Sequence, residues 1–129
     1  MRIFKTKWLT RFSRRERISD GNLSEAIDRA ERGLVDADLG SGLIKQRVAR
    51  AGQGRSGGYR MLVAYRIHDR AIFLYGFAKS EQDNIEPDQL LTLKEVAEGW
   101  LKASDKDIQK ALNEDALTEV NHGEESKKA

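Results

Sequence analysis

The stretch GYRMLVAYRIHDRAIFLYGFA, residues 58–78, decides the fold. It contains two apolar runs, GYRMLVAYR and RAIFLYGFA, that are rich in β-branched and aromatic residues and are separated by Ile67, His68 and Asp69. This pattern predicts a β-hairpin. Because both runs are almost continuously hydrophobic, they indicate central strands that are buried against helices on one face of the sheet.

A further strand is predicted before the hairpin, in LIKQRVA, residues 43–49. Alternation places Lys45 and Arg47 on one side of that strand and its apolar neighbours on the other. The segment ARAGQGRSG that follows is predicted to be a glycine-rich loop. Residues 47–66 contain four glycines and five arginines. Such crowding of positive charge is unfavourable unless an anion binds there.

Helices are predicted before and after these strands in the sequence. After a short opening strand at residues 2–6, KWLTRFSRRE and SDGNLSEAIDRAERGLV read as a helical hairpin, with a capping box at Asn22 and Glu25. Toward the C-terminus, Pro87 suits the first turn of a third helix, and Ser104 is placed to cap a fourth. The polar end of the chain is predicted to be disordered.

Composition excludes several classes of protein. The 129 residues suffice for one domain, or for one domain with an appendage. No apolar run approaches the ~18 residues that span a bilayer, and the N-terminus does not resemble a signal peptide. Without cysteine there is no disulfide, no thiolate nucleophile and no sulfur ligand for a metal. These features predict a cytoplasmic protein with no membrane partner.

Charge is distributed unevenly along the chain. Residues 1–79 carry 17 Lys and Arg against 8 Asp and Glu, whereas residues 80–129 carry 6 against 13. All 13 arginines precede residue 71. Because the guanidinium group binds phosphate in a bidentate fork, a basic body of this kind favours contact with a polyanion. The acidic C-terminal half is expected either to pack on the sheet edge or to lie partly against the basic face.

The sequence resembles the RelE/ParE superfamily of bacterial toxins. The resemblance rests on the K-x-R strand LIKQRVA, on Gly58, Tyr59 and Arg60 opening the next strand, and on FLYGFAKSEQDNI after it. It implies an α+β fold: a small twisted, mainly antiparallel sheet packed against an N-terminal helical hairpin, with additional C-terminal helices. It also implies a RelE-like toxin domain at 1–86, a helical extension at 87–121 and a disordered tail at 122–129.

For the RelE-like branch, the resemblance implies a ribosome-dependent mRNA endonuclease that a cognate antitoxin neutralises. It implies catalytic roles for Lys45, Arg47 and Arg60, and Lys79 takes the place of an arginine that follows the last strand. A site of Lys and Arg stabilises the negative charge of a phosphate transition state, so neither a metal nor another cofactor is expected. We expect further RNA contacts from the segment around the glycine-rich loop, namely Arg50, Arg55, Ser56, Gly57 and Gly58.

The last strand departs from the family pattern, because no tyrosine follows Tyr75 to serve as a proton donor. Two alternatives therefore stay open: a ParE-like inhibitor of DNA gyrase and a non-catalytic basic RNA-binding protein. His68 is expected to be an exposed turn residue and His122 part of the tail, while Tyr59 is expected in the core. Trp8 and Trp100 are expected in the core or at an interface, and RFSRRER reads as a solvated helix face or an RNA contact.

Overall fold

A mixed sheet forms the centre of the protein. The computed structural model describes residues 1–50, 54–82 and 84–121, and of residues 54–56 it describes the backbone alone. Within these residues six strands lie in the order β2-β3-β4-β5-β1-β6. Only β1 and β5 pair in parallel, so the α+β class with a mainly antiparallel sheet is confirmed. The strands are β1 (Arg2–Thr6), β2 (Ala37–Gly40), β3 (Leu43–Arg50), β4 (Gly54–Arg66), β5 (Arg70–Ala78) and β6 (Leu117–Glu119).

The predicted hairpin is confirmed as β4 and β5, whose pairing begins at Arg66 opposite Arg70. The turn contains His68 in the left-handed conformation, with φ of 59°. The Glu31 carboxylate accepts hydrogen bonds from the backbone N–H of His68, at 3.0 Å, and from the Tyr65 hydroxyl. Burial raises the pKa of Glu31, but these hydrogen bonds outweigh it, so the pKa lies below its ordinary value. The carboxylate therefore stays ionised and ties the turn to the preceding helical layer.

Four helices join the strands: α1 (Lys7–Glu16), α2 (Asp20–Glu31), α3 (Pro87–Lys102) and α4 (Asp105–Asn113). The capping box predicted at Asn22 and Glu25 is wrong, because Ser19 caps α2 and its hydroxyl accepts from the Asn22 backbone N–H at 3.1 Å. Serine and asparagine are similarly good caps, and an aspartate in the first turn favours the earlier start. Leu34, which is part of the segment predicted as the second helix, lies beyond the helix end and is 57% exposed.

The expectation of helices on one face is wrong, because helices cover both faces of the sheet. The first face packs against α1 and α2 and includes Val48, Tyr59 and Met61. The second face packs against α3 and α4 and includes Leu43 and Leu62. The second helical layer explains why β4 and β5 are hydrophobic almost throughout. No helix among the described residues has the length and apolar character needed to cross a membrane.

Two strands were not predicted from the sequence. The segment DADLGSG, residues 36–42, contains β2, which pairs with β3 across a tight turn. In that turn Gly42 has φ of 79°, and a Cβ there would lie 2.4 Å from Cδ1 of Leu101. Strand β6 is only three residues long and pairs with β1 from the far end of the chain. Neither strand has a local pattern long enough to identify it.

The C-terminal helices α3 and α4 pack on the same sheet, and β6 joins its edge. The buried guanidinium of Arg70 donates to the backbone oxygens of Trp100, at 2.9 Å, and Ala103, at 2.7 Å. The predicted cap at Ser104 is confirmed, and here it forms a full capping box with Asp107. The boundary expected at residue 86 stays a prediction, and the tail at 122–129 lies outside the described residues.

We expect Leu117→Ala to lower the free energy of unfolding by about 3 kcal/mol, because truncating a buried leucine leaves a cavity. Leu117 is 1% exposed. The matched control Leu91→Ala changes a leucine that is 60% exposed, and it should shift stability by less than about 0.5 kcal/mol. Urea denaturation followed by circular dichroism measures both. Equal stability of the two variants would show that β6 is not part of the cooperative fold.

Candidate nucleic-acid interface

Two arginines lie side by side on the second face of the sheet. The register of β3 and β4 places Arg47 directly opposite Arg60. Their chain neighbours Val48 and Tyr59 point into the core on the first face, so both arginine side chains belong to the second. Arg47 is exposed, whereas Arg60 is only 8% exposed. The pair thus places one guanidinium at the surface and one beneath it.

The charge of Arg47 acts on Arg60 in the folded protein. The pKa of Arg60 is lowered, first by burial and then by the charge of Arg47, while Asp36 acts in the opposite direction. Arginine nevertheless remains protonated in proteins, so both charges persist. An anion placed between them would relieve the repulsion, which is the property expected of a phosphate-binding site.

The backbone of this pair is held by a buried polar cluster. The backbone N–H of Arg47 donates to the Asp36 carboxylate at 2.7 Å, and its carbonyl accepts from the guanidinium of Arg29. Arg29 is 5% exposed and also bonds Glu25 at 2.9 Å and Asp36 at 3.4 Å. The position of Arg47 is therefore fixed through its main chain, and its side chain is left for another contact.

The structure places two predicted lysines beside the arginines. Lys45 is two residues before Arg47 on the same face of β3 and is half-buried. Lys79 follows β5, is exposed, and donates its backbone N–H to the Gly58 carbonyl at 3.1 Å. Since Phe77 lies opposite Arg60, alternation places Lys79 on the same face one step further along. We name Lys45, Arg47, Arg60 and Lys79 the cation row.

The residues predicted to bind RNA fall into three groups. Arg50 does not join the cation row, because its guanidinium lies over the Tyr59 ring at 5.6 Å, on the other face. Gly57 and Gly58 belong to β4, which begins at Gly54, so this part of the predicted loop is strand. The Gly58 carbonyl is used in the sheet by Lys79. The side chains of Arg55 and Ser56 lie outside the described residues.

The predicted positions of the aromatic and histidine residues are confirmed only in part. Tyr59 is 2% exposed, as predicted for a core residue, and its hydroxyl donates to Glu16 at 3.0 Å. Burial, then the bond to Glu16, raises the pKa of Tyr59. His68 is an exposed turn residue, as predicted, and its Nδ1 lies 3.0 Å from Glu31. Trp8 is 42% exposed and does not belong to the core. His122 lies outside the described residues.

Two cavities were not identified from the sequence. One, of about 380 Å³, lies between α1 and β5 and is lined by aromatic residues, among them Trp8 and Tyr75. The other, of about 250 Å³, is lined by Lys7, Arg11 and Arg14 of α1 and by Asp115 and Thr118 near β6. The second cavity gives a location to the basic helix face predicted from RFSRRER. The spacing along α1 could have indicated this basic face, since Lys7, Arg11 and Arg14 recur at helical intervals.

Together these features define a class: a small α+β protein whose cations lie side by side on one face of an antiparallel sheet. The sequence matches a family model described as the RelE toxin of the RelE/RelB toxin–antitoxin system, over residues 1–120. The chain belongs to this family, and it is a toxin of a toxin–antitoxin system with an antitoxin as partner. The resemblance seen in the sequence is thereby confirmed. No curated protein matches the chain. Its described residues include no group of three or more His, Asp or Glu placed to hold a metal ion.

We expect Arg47→Ala to leave the free energy of unfolding within about 0.5 kcal/mol of the wild type, because an exposed side chain is lost and the main-chain bonds remain. The comparison variant Arg29→Ala should lose about 3 kcal/mol, since it removes a buried guanidinium that bonds Glu25, Asp36 and the Arg47 carbonyl. Denaturant unfolding of both proteins measures the difference. A loss at Arg47 as large as that at Arg29 would assign Arg47 a structural role.

Proposed function

We propose that this toxin is a ribosome-dependent endonuclease that cleaves mRNA and so inhibits translation. The observation that carries the proposal is the direct pairing of Arg47 with Arg60, with Lys45 and Lys79 beside them. Membership of the RelE family supports it, and the partners proposed are mRNA and the ribosome, in addition to the antitoxin. The compartment proposed is the cytoplasm.

The reaction that suits these residues is an intramolecular transesterification. The ribose 2′-oxygen attacks the adjacent phosphorus as the bond from phosphorus to the 5′-oxygen breaks, which gives a 2′,3′-cyclic phosphate and a 5′-hydroxyl end. The proton leaves the 2′-oxygen, and a proton must reach the departing 5′-oxygen. Negative charge grows on the non-bridging oxygens, and fixed guanidinium groups stabilise it more in the transition state than in the substrate.

The described histidine is far from this site. His68 lies in the turn that follows β4, eight residues after Arg60 in sequence, where it bonds Glu31. The six residue steps from Arg60 to Arg66 along the strand span about 20 Å. The cation row therefore supplies the proposed charge stabilisation without His68, and in-line positioning of the 2′-oxygen on the ribosome supplies the rest.

The rival functions are inhibition of DNA gyrase and RNA binding without cleavage. The absence of a tyrosine after Tyr75 favours them, because it removes the aromatic proton donor of the family pattern. The convergence of phosphate-binding side chains favours the nuclease, because an inhibitor that binds a protein surface does not require it. The three functions leave different products in the cell.

Brief induction followed by primer-extension mapping of cellular mRNA separates the three. We expect breaks at a fixed position within codons. A DNA-damage response without breaks would instead identify a gyrase inhibitor, and neither effect would identify a binder. Mapping in extracts with and without ribosomes tests the ribosome requirement.

We expect Arg60→Ala to abolish growth arrest and lower the cleavage rate by at least about 100-fold, the loss typical of removing one charge-stabilising donor. Arg66→Ala is the matched control on the same strand. Arg66 pairs with Asp69 at 2.5 Å at the turn, remote from the cation row, so its loss should leave cleavage near the wild-type rate. Circular dichroism checks that both variants fold. Undiminished toxicity of folded Arg60→Ala would refute the site.

A further inference from the structure

The aromatic cavity lies at an edge of β5 that β1 does not cover. The pairing of β1 with β5 ends at Lys5 opposite Phe73, and the chain then turns into α1. Along Tyr75–Ala78, among the described residues, α1 takes the place of a neighbouring strand and leaves a cavity of about 380 Å³. The protein thus has an open, partly aromatic recess at the end of the strand that carries Phe77.

The recess exposes aromatic surface that a core would normally bury. The rings of Trp8 and Tyr75 lie 4.6 Å apart, and those of Trp8 and Phe12 are stacked at 5.2 Å. Trp8 is nevertheless 42% exposed. Exposed, preassembled aromatic rings are the usual platform for bases of single-stranded nucleic acid, because every base has a π-face.

The recess lies at the edge of the sheet, where Phe77 joins it to the face that carries the cation row, while α1 packs on the opposite face. Arg47 lies opposite Arg60, and Arg60 lies opposite Phe77, which forms one wall of the recess. Neighbouring strands are about 4.8 Å apart, so the recess begins about one strand spacing beyond Arg60. A nucleotide joins its base to its phosphate through a single ribose. A base can therefore enter the recess while an adjoining phosphate lies on the arginines.

We propose that this recess binds the base of a nucleotide adjoining the phosphate on Arg47 and Arg60, an inference that rests on the proposed nuclease function. The base lies against the exposed surface of Trp8 and Tyr75. Its edge meets the carboxylate of Glu81 and the side-chain oxygen of Gln82, whose amide nitrogen already donates to the Asn84 carbonyl at 2.7 Å. These acceptors favour bases with an exocyclic amino group over uracil.

Tryptophan fluorescence tests the proposal directly. The chain has two tryptophans, so Trp100→Phe leaves Trp8 as the single reporter. The probe is a trinucleotide RNA with a 2′-deoxy substitution that prevents cleavage, titrated into the full chain. We expect saturable quenching of Trp8 by trinucleotides with adenine, cytosine or guanine at the recess position, and weaker binding when that position is uracil or abasic. No saturable change overturns the proposal.

Variants of Trp8 provide the second measurement, by anisotropy of a labelled trinucleotide. Trp8→Ala should weaken binding about 5- to 150-fold, the range measured for loss of one base-stacking residue. Trp8→Phe should restore most of the affinity, and Leu91→Ala, an exposed leucine on α3, should bind as the wild type does. Equal affinity of Trp8→Ala and the wild type overturns the base site.

The outcomes separate this inference from the proposed function. If Arg60→Ala abolishes cleavage while Trp8→Ala and the abasic probe bind normally, the nuclease stands and the base site is wrong. If Arg60→Ala cleaves normally, the proposed function itself fails. A change in Trp8 emission on adding the antitoxin but not on adding trinucleotide would assign the recess to the protein partner and overturn the proposal.

Discussion

The antiparallel pairing of β3 with β4 is the constraint on which the candidate site depends. It sets Arg47 against Arg60 and directs both toward the second face. A shift of one residue would move every side chain of β3 to the opposite face. The register is fixed by Gln46, which is 0% exposed, donates to the Ala26 carbonyl at 2.8 Å and accepts from the Asp36 backbone N–H at 2.7 Å. A slipped strand would leave that amide without partners and bury Arg47.

The polar cluster of Arg29, Glu25 and Asp36 also holds the main chain of Arg47 in place. Asp36 binds the Arg47 main chain and lies close to Arg29, so its carboxylate holds the strand without neutralising the exposed guanidinium. Burial lowers the pKa of Arg60 and adds a desolvation cost to the repulsion from Arg47. An anion bound between the two guanidinium groups would offset both costs, as the proposed function requires.

Local patterns predicted the parts of the fold that local interactions decide. The apolar runs around His68 gave the hairpin, alternation placed Tyr59 in the core, and Ser104 gave the start of α4. Pairings between distant segments were not predictable in this way: Phe4 lies opposite Glu119, and nothing near either residue indicates the other. The recess beside Trp8 escaped prediction for the same reason. It exists because β1 ends at Thr6 while β5 continues, a mismatch between strands that are far apart in sequence.

The acidic C-terminal half shows where charges that are separated in the sequence lie in the folded protein. It was expected either on the sheet edge or against the basic face, and two of its described acidic residues, Glu119 and Asp105, pair at the edge. Glu119 binds Arg2 through two hydrogen bonds of 2.9 Å, and Asp105 lies 3.2 Å from Arg70. These contacts hold arginines of β1 and β5 at the β6 side of the sheet, whereas Arg47 and Arg60 lie on β3 and β4. These two acidic residues thus offset positive charge at the β6 side of the sheet. Because β6 is also a sheet strand, removing the acidic segment would disrupt the fold as well as change its charge.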